Sequence, residues 1–342
     1  MSAPLRLRLD GAALTDNWRT LAAMSGRATC GAAIKADGYG LGASAVVRRL
    51  AGAGCRDFFV ATWAEAEALA PSGVSLAVLH GVREEDLPAA LSGIARPVLN
   101  TAVQVGRWKA AGGGACDVMV DTGINRLGVS VEEVGAGLLD GLIIDTLMSH
   151  LASADEDVAL NEAQRSAFAA LAGRTGARRM SLANSAGIAL GAGYAFDLTR
   201  PGIALYGGVP RHEFDGRIRQ VVTPEAQILQ RRLVPAGGVV GYNATWTASV
   251  ATEVAILNLG YADGYWRGFS NKGVARAGDR ALPVIGRVSM DLTAIDVSAV
   301  PALAEGNWVA IDYALPEASA ISGMSQYELL TGMGRRYERI WS

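Results

Sequence analysis

Cysteine, net charge and long apolar runs are all scarce in this 342-residue sequence. The three cysteines, Cys30, Cys55 and Cys116, are widely spaced and contain no C-x-x-C pair, which excludes a disulfide scaffold and favours a reducing compartment. The 31 Lys and Arg against 33 Asp and Glu leave a net charge of −2, so nothing attracts the chain to nucleic acid or to an anionic membrane. The three histidines lack the spacing of metal ligands, so no metal centre is expected.

The N-terminal stretch MSAPLRLRLDG alternates apolar and charged residues and lacks the apolar core of a signal peptide. No apolar run approaches the length of a membrane span. We therefore expect a cytoplasmic protein. With 50% hydrophobic and 19% charged residues, the composition is that of an ordinary globular chain. The length suggests two domains.

Eight short apolar runs, most of them followed by a helix-like stretch, occupy the first two-thirds of the chain. Strands that alternate with helices predict a parallel sheet, and eight such units in this length indicate a (β/α)8 barrel, with a doubly wound sheet as the alternative. The runs are CGAAIK (30–35), FFVA (58–61), LAVLH (76–80), PVLN (97–100), DVMVD (117–121), IIDTLMSH (143–150), MSLAN (180–184) and FDLTR (196–200).

The pattern changes near residue 220. From TPEAQILQRRLV to GNWVAIDYA the chain reads as short alternating strands with Gly and Pro turns, and helical patterning returns only at SQYELLTG. We therefore predict an α/β plus all-β protein, with a TIM-type (β/α)8 barrel over residues 1–219 and a C-terminal β domain over residues 220–342.

A single lysine, Lys35, ends the first apolar run and precedes the glycine-studded loop ADGYGLGA. Chemistry in such barrels is carried at the carboxyl ends of strands, and an amine there can form a Schiff base with an aldehyde. Gly38, Gly40 and Gly42 leave backbone N–H groups open to an anion, and Tyr39 adds a hydroxyl. Taken alone, a solvent-facing lysine before a tight turn remains an equal alternative.

The other strand ends also collect polar residues. Because Pro201 keeps Arg200 out of helical geometry, the Gly202 and Ile203 N–H groups would begin the next helix free and form a second anion site. As alternatives, His150 could be a hydrogen-bonded core histidine, and Arg126 could pair with a surface carboxylate. The strand-end residues are Arg126, His150, Asn184, Ser185 and Arg200.

Eight motifs, in order along almost the whole chain, resemble those of the alanine racemase family, whose members are fold-type III enzymes that depend on pyridoxal 5′-phosphate (PLP). One such motif would be moderately specific, whereas eight in sequence are highly specific. The motifs are AAIKADGYGLG, VDTGINRLG, MSHLASADE, SLANSAG, TRPGIALYGG, VGYNATWTA, LGYADGYWRG and IGRVSMDLTAIDV.

The resemblance implies an N-terminal barrel, a C-terminal β domain and a head-to-tail homodimer, in which each active site combines one barrel with the partner's β domain. It also implies that PLP is the cofactor and that Lys35 binds it covalently. The other residues implied around PLP are Tyr39, Ser185 and the N–H groups of Gly202 and Ile203 at the phosphate, Asn184 nearby, His150 beside the pyridine ring and Arg200 at the ring nitrogen.

The implied reaction interconverts L-alanine and D-alanine through two bases on opposite faces of the α-carbon. Lys35 would act in the D-alanine direction and Tyr242 of the partner subunit in the L-alanine direction, and positive charge at His150 and Arg200 is expected to help Tyr242 lose its proton. Further implied residues are Met290 of the partner subunit beside the substrate, Tyr261 at the entrance, Arg126 near the substrate carboxylate, and Arg267 and Arg287 along the approach.

Some features depart from the family pattern or leave alternatives open. Several relatives have a carbamylated lysine two residues before the Asp of VDTG, but this chain has Met119 there, so the orientation of Arg126 stays open. A decarboxylase of the same fold type would place a carboxylate, rather than Arg200, at the ring nitrogen. A non-catalytic PLP carrier would lack the β domain. The implied role is supply of D-alanine for peptidoglycan, although a catabolic enzyme would carry the same motifs.

Overall fold

The computed structural model describes residues 3–342, which divide into two compact units. One unit is Leu14–Arg219, and the other combines Gln220–Ser342 with the N-terminal strand. No helix among residues 3–342 is both long and apolar enough to cross a bilayer.

The strands belong to both units and are numbered in chain order. They are β1 (Leu5–Leu9), β2 (Thr29–Cys30), β3 (Ala32–Ala33), β4 (Asp57–Val60), β5 (Ser75–Val78), β6 (Arg96–Leu99), β7 (Cys116–Met119), β8 (Ile144–Met148), β9 (Arg179–Ser181), β10 (Leu198–Thr199), β11 (Val222–Val234), β12 (Val239–Val240), β13 (Trp246–Thr247), β14 (Thr252–Leu257), β15 (Val274–Ala277), β16 (Arg280–Ile285), β17 (Thr293–Asp296), β18 (Trp308–Ile311) and β19 (Glu338–Trp341).

The helical segments lie mostly between the strands of the first unit. They are α1 (Gly11–Met24), α2 (Lys35–Tyr39), α3 (Ala43–Ala53), α4 (Trp63–Leu69), α5 (Leu87–Leu91), α6 (Ala102–Ala110), α7 (Val131–Gly135), α8 (Ala159–Ala169), α9 (Ser185–Ala189), α10 (Ala192–Ala195), α11 (Leu315–Ser322) and α12 (Gln326–Thr331).

The first unit is a barrel of parallel strands. Strands β3 to β9 pair in chain order, each parallel to the next. Strand β10 then pairs with β2, and the Ala33 N–H donates to the Pro201 carbonyl at 2.8 Å, so the last strand returns to the first. All eight predicted runs form these strands, which confirms the (β/α)8 barrel and excludes the doubly wound sheet, because a doubly wound sheet does not close.

Helix starts in this unit follow the local sequence. The Thr62 hydroxyl accepts the Glu65 N–H while the Glu65 carboxylate accepts the Thr62 N–H, a capping box that begins α4. Ser130 and Glu133 repeat the arrangement at α7. Strand β4 is buried along its whole length, as expected for a parallel strand covered by helices on its outer face.

The second unit is a mainly antiparallel sheet with the strand order β14-β17-β16-β15-β18-β11-β1-β19, in which β1 and β19 pair in parallel. Strand β11 is long enough to pair with β1 and β18 near its start and with β14 near its end, where the register shifts between Ile228 and Gln230. The extra pairing of β14 with β11 joins one edge of the sheet back to its interior. This confirms the predicted all-β character of the second domain.

Two details differ from the sequence prediction. We assigned the N-terminal residues to the barrel domain 1–219, but β1 belongs to the second unit because it pairs with β11 and β19 and buries Leu5, Leu7 and Leu9 there. Helix α11 precedes the expected SQYELLTG helix. Its Pro316 lies in the first turn, where a proline costs no hydrogen bond.

Candidate active site

Lys35 begins a single left-handed turn at the end of β3. Ala36, Asp37, Gly38 and Tyr39 have φ values of 53°, 53°, 64° and 55°. Non-glycine residues in this conformation cost about 1–2 kcal/mol each, so the surrounding contacts must stabilise the turn. One of these contacts is the Tyr39 ring, which is buried and stacks on Tyr206 with centroids 4.6 Å apart.

Lys35 is exposed at the mouth of the barrel, but the groups around it partly desolvate its amine. This partial desolvation lowers the pKa of Lys35, and the positive charges of Arg126 and Arg200 lower it further, while Glu65 opposes them. A larger share of the amine is therefore unprotonated near neutrality, which is the form that attacks an aldehyde or accepts a proton.

Three strand ends bring Tyr39, Ser185 and Gly202 together. The Ser185 hydroxyl accepts the N–H groups of Gly202 at 2.9 Å and Ala204 at 3.2 Å. A Cβ built on Gly202 would lie 2.1 Å from the Tyr39 hydroxyl, so only glycine leaves room for that hydroxyl. The Gly202 N–H, which we expected to be free, thus donates to Ser185 within the chain. The two hydroxyls beside backbone N–H groups suit a phosphate.

Ile203 and Asn184, which the sequence analysis also predicted at the cofactor site, lie beside Gly202 and Ser185 in the chain. Buried Ile203 begins a 3₁₀ turn, Ile203–Tyr206, in place of the expected longer helix. Asn184 acts as the N-cap of α9, where its side-chain oxygen accepts the Gly187 N–H at 2.8 Å. Asn184 therefore supports the position of Ser185, the first residue of that helix.

Arg200 is buried at the end of β10. Its guanidinium donates to the Ser149 carbonyl at 2.6 Å and to the Ser181 hydroxyl. Burial lowers the pKa of Arg200 to about 10, so the side chain keeps its positive charge at neutral pH. A fixed cation that cannot accept a proton is thus held inside the barrel.

His150 lies beyond the end of β8 and is neutral at physiological pH. Burial, together with the charges of Arg200, Arg126 and Lys35, lowers the pKa of His150 to about 3. Our expectation of positive charge at His150 is therefore wrong, because burial and then the nearby cations disfavour the charged imidazolium. Arg200 keeps the charge expected of it.

Gln164 of α8, which sequence reasoning missed, holds the loop that carries His150. Its side chain donates to the His150 carbonyl at 3.0 Å and accepts the Ala152 N–H at 2.8 Å. The side chain is fully buried, as a satisfied amide can be. A lone glutamine within a helical pattern gives no sequence signal for this role.

The loop that carries Arg126 is organised by Asp121. The Asp121 carboxylate accepts the N–H groups of Gly123 at 2.8 Å, Ile124 at 3.0 Å and Arg126 at 3.0 Å. Arg126 itself is exposed, and Met119, at the position of the family's modified lysine, is buried. The backbone at Arg126 is therefore oriented by a carboxylate within its own loop.

In the second unit, the loops that carry Tyr242, Tyr261 and Met290 are neighbours. The Tyr261 N–H donates to the Ser289 carbonyl at 3.0 Å, and the Ala262 N–H donates to the Met290 carbonyl at 2.9 Å. The residue before Tyr242 is Gly241, whose Cβ would lie 3.1 Å from the Arg287 nitrogen. The predicted residues Arg267 and Arg287 lie on the same loops. The Arg267 guanidinium lies over the Tyr261 ring, 5.0 Å from its centroid.

Within the described residues, 3–342, no group of three or more His, Cys, Asp or Glu side chains could hold a metal ion. The barrel instead offers hydroxyl and N–H donors suited to a phosphate, together with a lysine amine. These groups fit a phosphorylated aldehyde cofactor.

Comparison with known proteins identifies the family. The model for the alanine racemase N-terminal domain matches residues 9–210, and that for the alanine racemase C-terminal domain matches residues 221–341. The chain belongs to the alanine racemase family. Its relatives include the alanine racemase of Acidiphilium cryptum, 41% identical over 98% of both chains. Agrobacterium fabrum has a catabolic alanine racemase, 41% identical over 97% of this chain and 91% of its own, and a biosynthetic one, 38% identical over 98% and 93%.

Solved alanine racemase structures have the same fold. That of Bartonella henselae, which holds covalently bound pyridoxal phosphate, has a TM-score of 0.90 and 33% identity over 100% of both chains. The biosynthetic alanine racemase of Pseudomonas aeruginosa has a TM-score of 0.89 and 30% identity over 100% of both chains. The match to alanine racemases therefore extends over the barrel and the β domain.

Proposed function

We propose that this protein is a PLP-dependent alanine racemase that interconverts L-alanine and D-alanine. The observation that carries the proposal is the Lys35 amine, whose pKa is lowered, at the end of a strand in the same barrel as the hydroxyl and N–H groups of Tyr39, Ser185 and Gly202. The covalently bound pyridoxal phosphate of the Bartonella henselae relative supports the choice of cofactor.

Lys35 would hold PLP covalently, and Tyr39, Ser185 and the N–H groups of Gly202 and Ile203 would hold the phosphate. Arg200 and neutral His150 would flank the pyridine ring, with Asn184 supporting Ser185. When bound, PLP withdraws electrons from the substrate α-carbon and so acidifies its C–H bond. Because Arg200 is a permanent cation, it disfavours a second positive charge on the ring nitrogen.

Racemisation needs a base on each face of the α-carbon. Lys35 would remove the proton in the D-alanine direction, and Tyr242 of the partner subunit in the L-alanine direction. Arg126 would contact the substrate carboxylate. Tyr261 and Met290 would restrict the space for the side chain, which favours alanine over larger amino acids.

A homodimer with shared sites follows from the same assignment. Several large side chains of the second unit remain more than half exposed in the single chain, which is typical of a surface that another subunit covers. They are Tyr242 at 67%, Val250 at 66%, Leu233 at 60%, Val239 at 55% and Met290 at 54%. We propose that this face covers the barrel opening of a second copy.

The cellular role remains that implied by the sequence. The three cysteines are free and buried, which suits the reducing cytoplasm. We propose that the enzyme supplies D-alanine for peptidoglycan there. Both a catabolic and a biosynthetic relative match closely, so growth of a deletion strain with and without D-alanine would decide between the two roles.

The direct test is racemisation of L-alanine by the purified, PLP-loaded protein, followed by chiral chromatography. We expect D-alanine from the unaltered enzyme, and none from Lys35→Ala or Tyr242→Phe. Lys272→Ala and Tyr327→Phe replace exposed residues of the same types and serve as matched controls. Loss of carbon dioxide in place of D-alanine would establish the decarboxylase alternative and refute the racemase.

A further inference from the structure

The peptide that joins Lys35 to Ala36 is held by a carboxylate in the first turn of α4. One oxygen of Glu65 accepts the Ala36 N–H at 2.6 Å. The other oxygen accepts the N–H groups of Ala61 at 2.7 Å and Thr62 at 3.3 Å. Glu65 therefore ties the left-handed turn to the loop between β4 and α4.

This contact constrains Lys35 itself. The Ala36 N–H belongs to the same planar peptide as the Lys35 carbonyl, so fixing it limits rotation on the carboxyl side of the Lys35 α-carbon. The turn depends on such support, because its non-glycine residues adopt backbone angles that L residues rarely adopt. Asp37 and Tyr39 support the far side of the turn, where the Asp37 carboxylate accepts the Ala43 N–H at 2.8 Å.

The capping box of α4 does not account for the contact. Glu133 occupies the same position of the α7 box, and Glu328 of the α12 box. Glu133 accepts the Ser130 N–H at 2.7 Å, and Glu328 accepts the Ser325 N–H at 2.9 Å. Only Glu65, among these three, extends its second oxygen to a residue 29 positions away.

We propose that Glu65 is a positioning residue that aims the Lys35 amine and keeps a negative charge beside it. The proposal rests on the proposed function, in which Lys35 is the cofactor lysine and a base. The charged groups that act on Lys35 are Arg126 and Arg200, which lower its pKa, and Glu65, which raises it. His150 also faces this group and is neutral. Glu65 is thus the carboxylate that balances the two arginines.

Two substitutions separate geometry from charge. In Glu65→Gln the amide NH₂ would face backbone donors, so the side chain cannot serve both loops, and the negative charge is lost. In Glu65→Asp the charge remains, but the shorter side chain cannot span the two loops. Glu133→Gln is the matched control, because it alters an equivalent capping box without a second contact.

The first readout needs no cofactor. Competitive acetylation of the apoprotein across a pH series, read by mass spectrometry, reports the titration of Lys35. We expect the midpoint to fall in Glu65→Gln, because a negative charge beside the ammonium is lost. It should change less in Glu65→Asp and not at all in Glu133→Gln. An unchanged midpoint in Glu65→Gln would refute the electrostatic part of the proposal.

The second readout is kinetics of the PLP-loaded enzyme. We expect kcat to fall about tenfold or more in both Glu65 variants, which corresponds to about 1.4 kcal/mol, with KM for alanine nearly unchanged. Equal loss in Glu133→Gln would assign the effect to helix capping and overturn the proposal. If the unaltered protein racemises nothing, the proposed function fails, whereas the acetylation result still decides whether Glu65 acts on Lys35.

Discussion

Arg336 forms a bidentate ion pair with Asp263, with Nε 2.6 Å from Oδ1 and the terminal nitrogen 2.8 Å from Oδ2. Asp263 is fully buried and also accepts the Gly260 N–H at 3.0 Å. The remaining guanidinium nitrogen contacts Asp291 at 2.7 Å. One side chain near the C-terminus therefore joins the loop of Tyr261 to the loop of Met290.

Replacing this arginine should destabilise the second unit. Arg336→Met leaves the Asp263 carboxylate buried without its guanidinium, and we expect a loss of about 1.5–3 kcal/mol in the free energy of unfolding. Arg276→Met is the matched control, since its pair with Asp312 has the same 2.6 Å contact but both side chains are exposed and screened by water, so its loss should cost much less. Urea denaturation measures both, and equal losses would contradict the structural role of Arg336.

Substitution of Gly202 should weaken cofactor binding. Its φ of −128° is not in the left-handed region, but the new Cβ would displace the Tyr39 hydroxyl 2.1 Å away. We expect Gly202→Ala to raise the Kd for PLP by about tenfold or more, a change of about 1.4 kcal/mol. Absorbance titration of the apoprotein with PLP provides the measurement.

The control for Gly202 is Gly52→Ala. Gly52 lies in α3 with nothing within 4 Å of the added Cβ. That variant should bind PLP normally and gain up to about 1 kcal/mol of stability from helix propensity. Normal PLP affinity in Gly202→Ala would show that the hydroxyl and N–H groups around Gly202 do not contact the cofactor.

His150 should make the protein less stable in acid. Its pKa is about 3 when folded and 6.5 in an ordinary environment, so between these values only the unfolded chain binds the proton. Stability conferred by neutral His150 is therefore complete above about pH 6.5 and is lost as the pH falls toward 3. In His150→Gln, the slope of unfolding free energy against pH should be smaller by up to about 1.4 kcal/mol per pH unit in this window. Urea denaturation across the window tests this, with exposed His212→Gln as control.

Asp117 should have the opposite pH dependence. Burial raises its pKa to about 6 although Arg96 lies 3.3 Å away, and one of its carboxylate oxygens has no hydrogen-bond partner within the described residues. The folded state then holds a proton that the unfolded chain releases near pH 3.8, so stability falls as the pH rises from 3.8 to 6. We expect Asp117→Asn to gain stability relative to the unaltered protein over this interval. A constant difference, like that of exposed Asp155→Asn, would contradict the shifted pKa.

The family motifs and the strand–helix alternation could be predicted because both arise from residues that are close together in the sequence. A parallel strand covered on both faces is a continuous apolar run, so all eight barrel strands could be located. The carboxyl ends of parallel strands meet at one rim, which is why Lys35, His150 and Arg200 could be assigned to one site. The second unit was readable from its alternating pattern for the same local reason.

Only the tertiary structure decided which distant groups hold those residues. The contacts of Glu65 with Ala36, Gln164 with His150 and Arg336 with Asp263 join positions 29, 14 and 73 residues apart. Strand β1 joined the second unit because its leucines are buried against β11, where Leu5 lies opposite Ala226 and Leu9 opposite Val222. Composition and periodicity report which residues prefer burial, but the partners depend on how the chain folds back on itself. The sequence by itself therefore determined the element types and the chemistry, and packing determined the positions and protonation states.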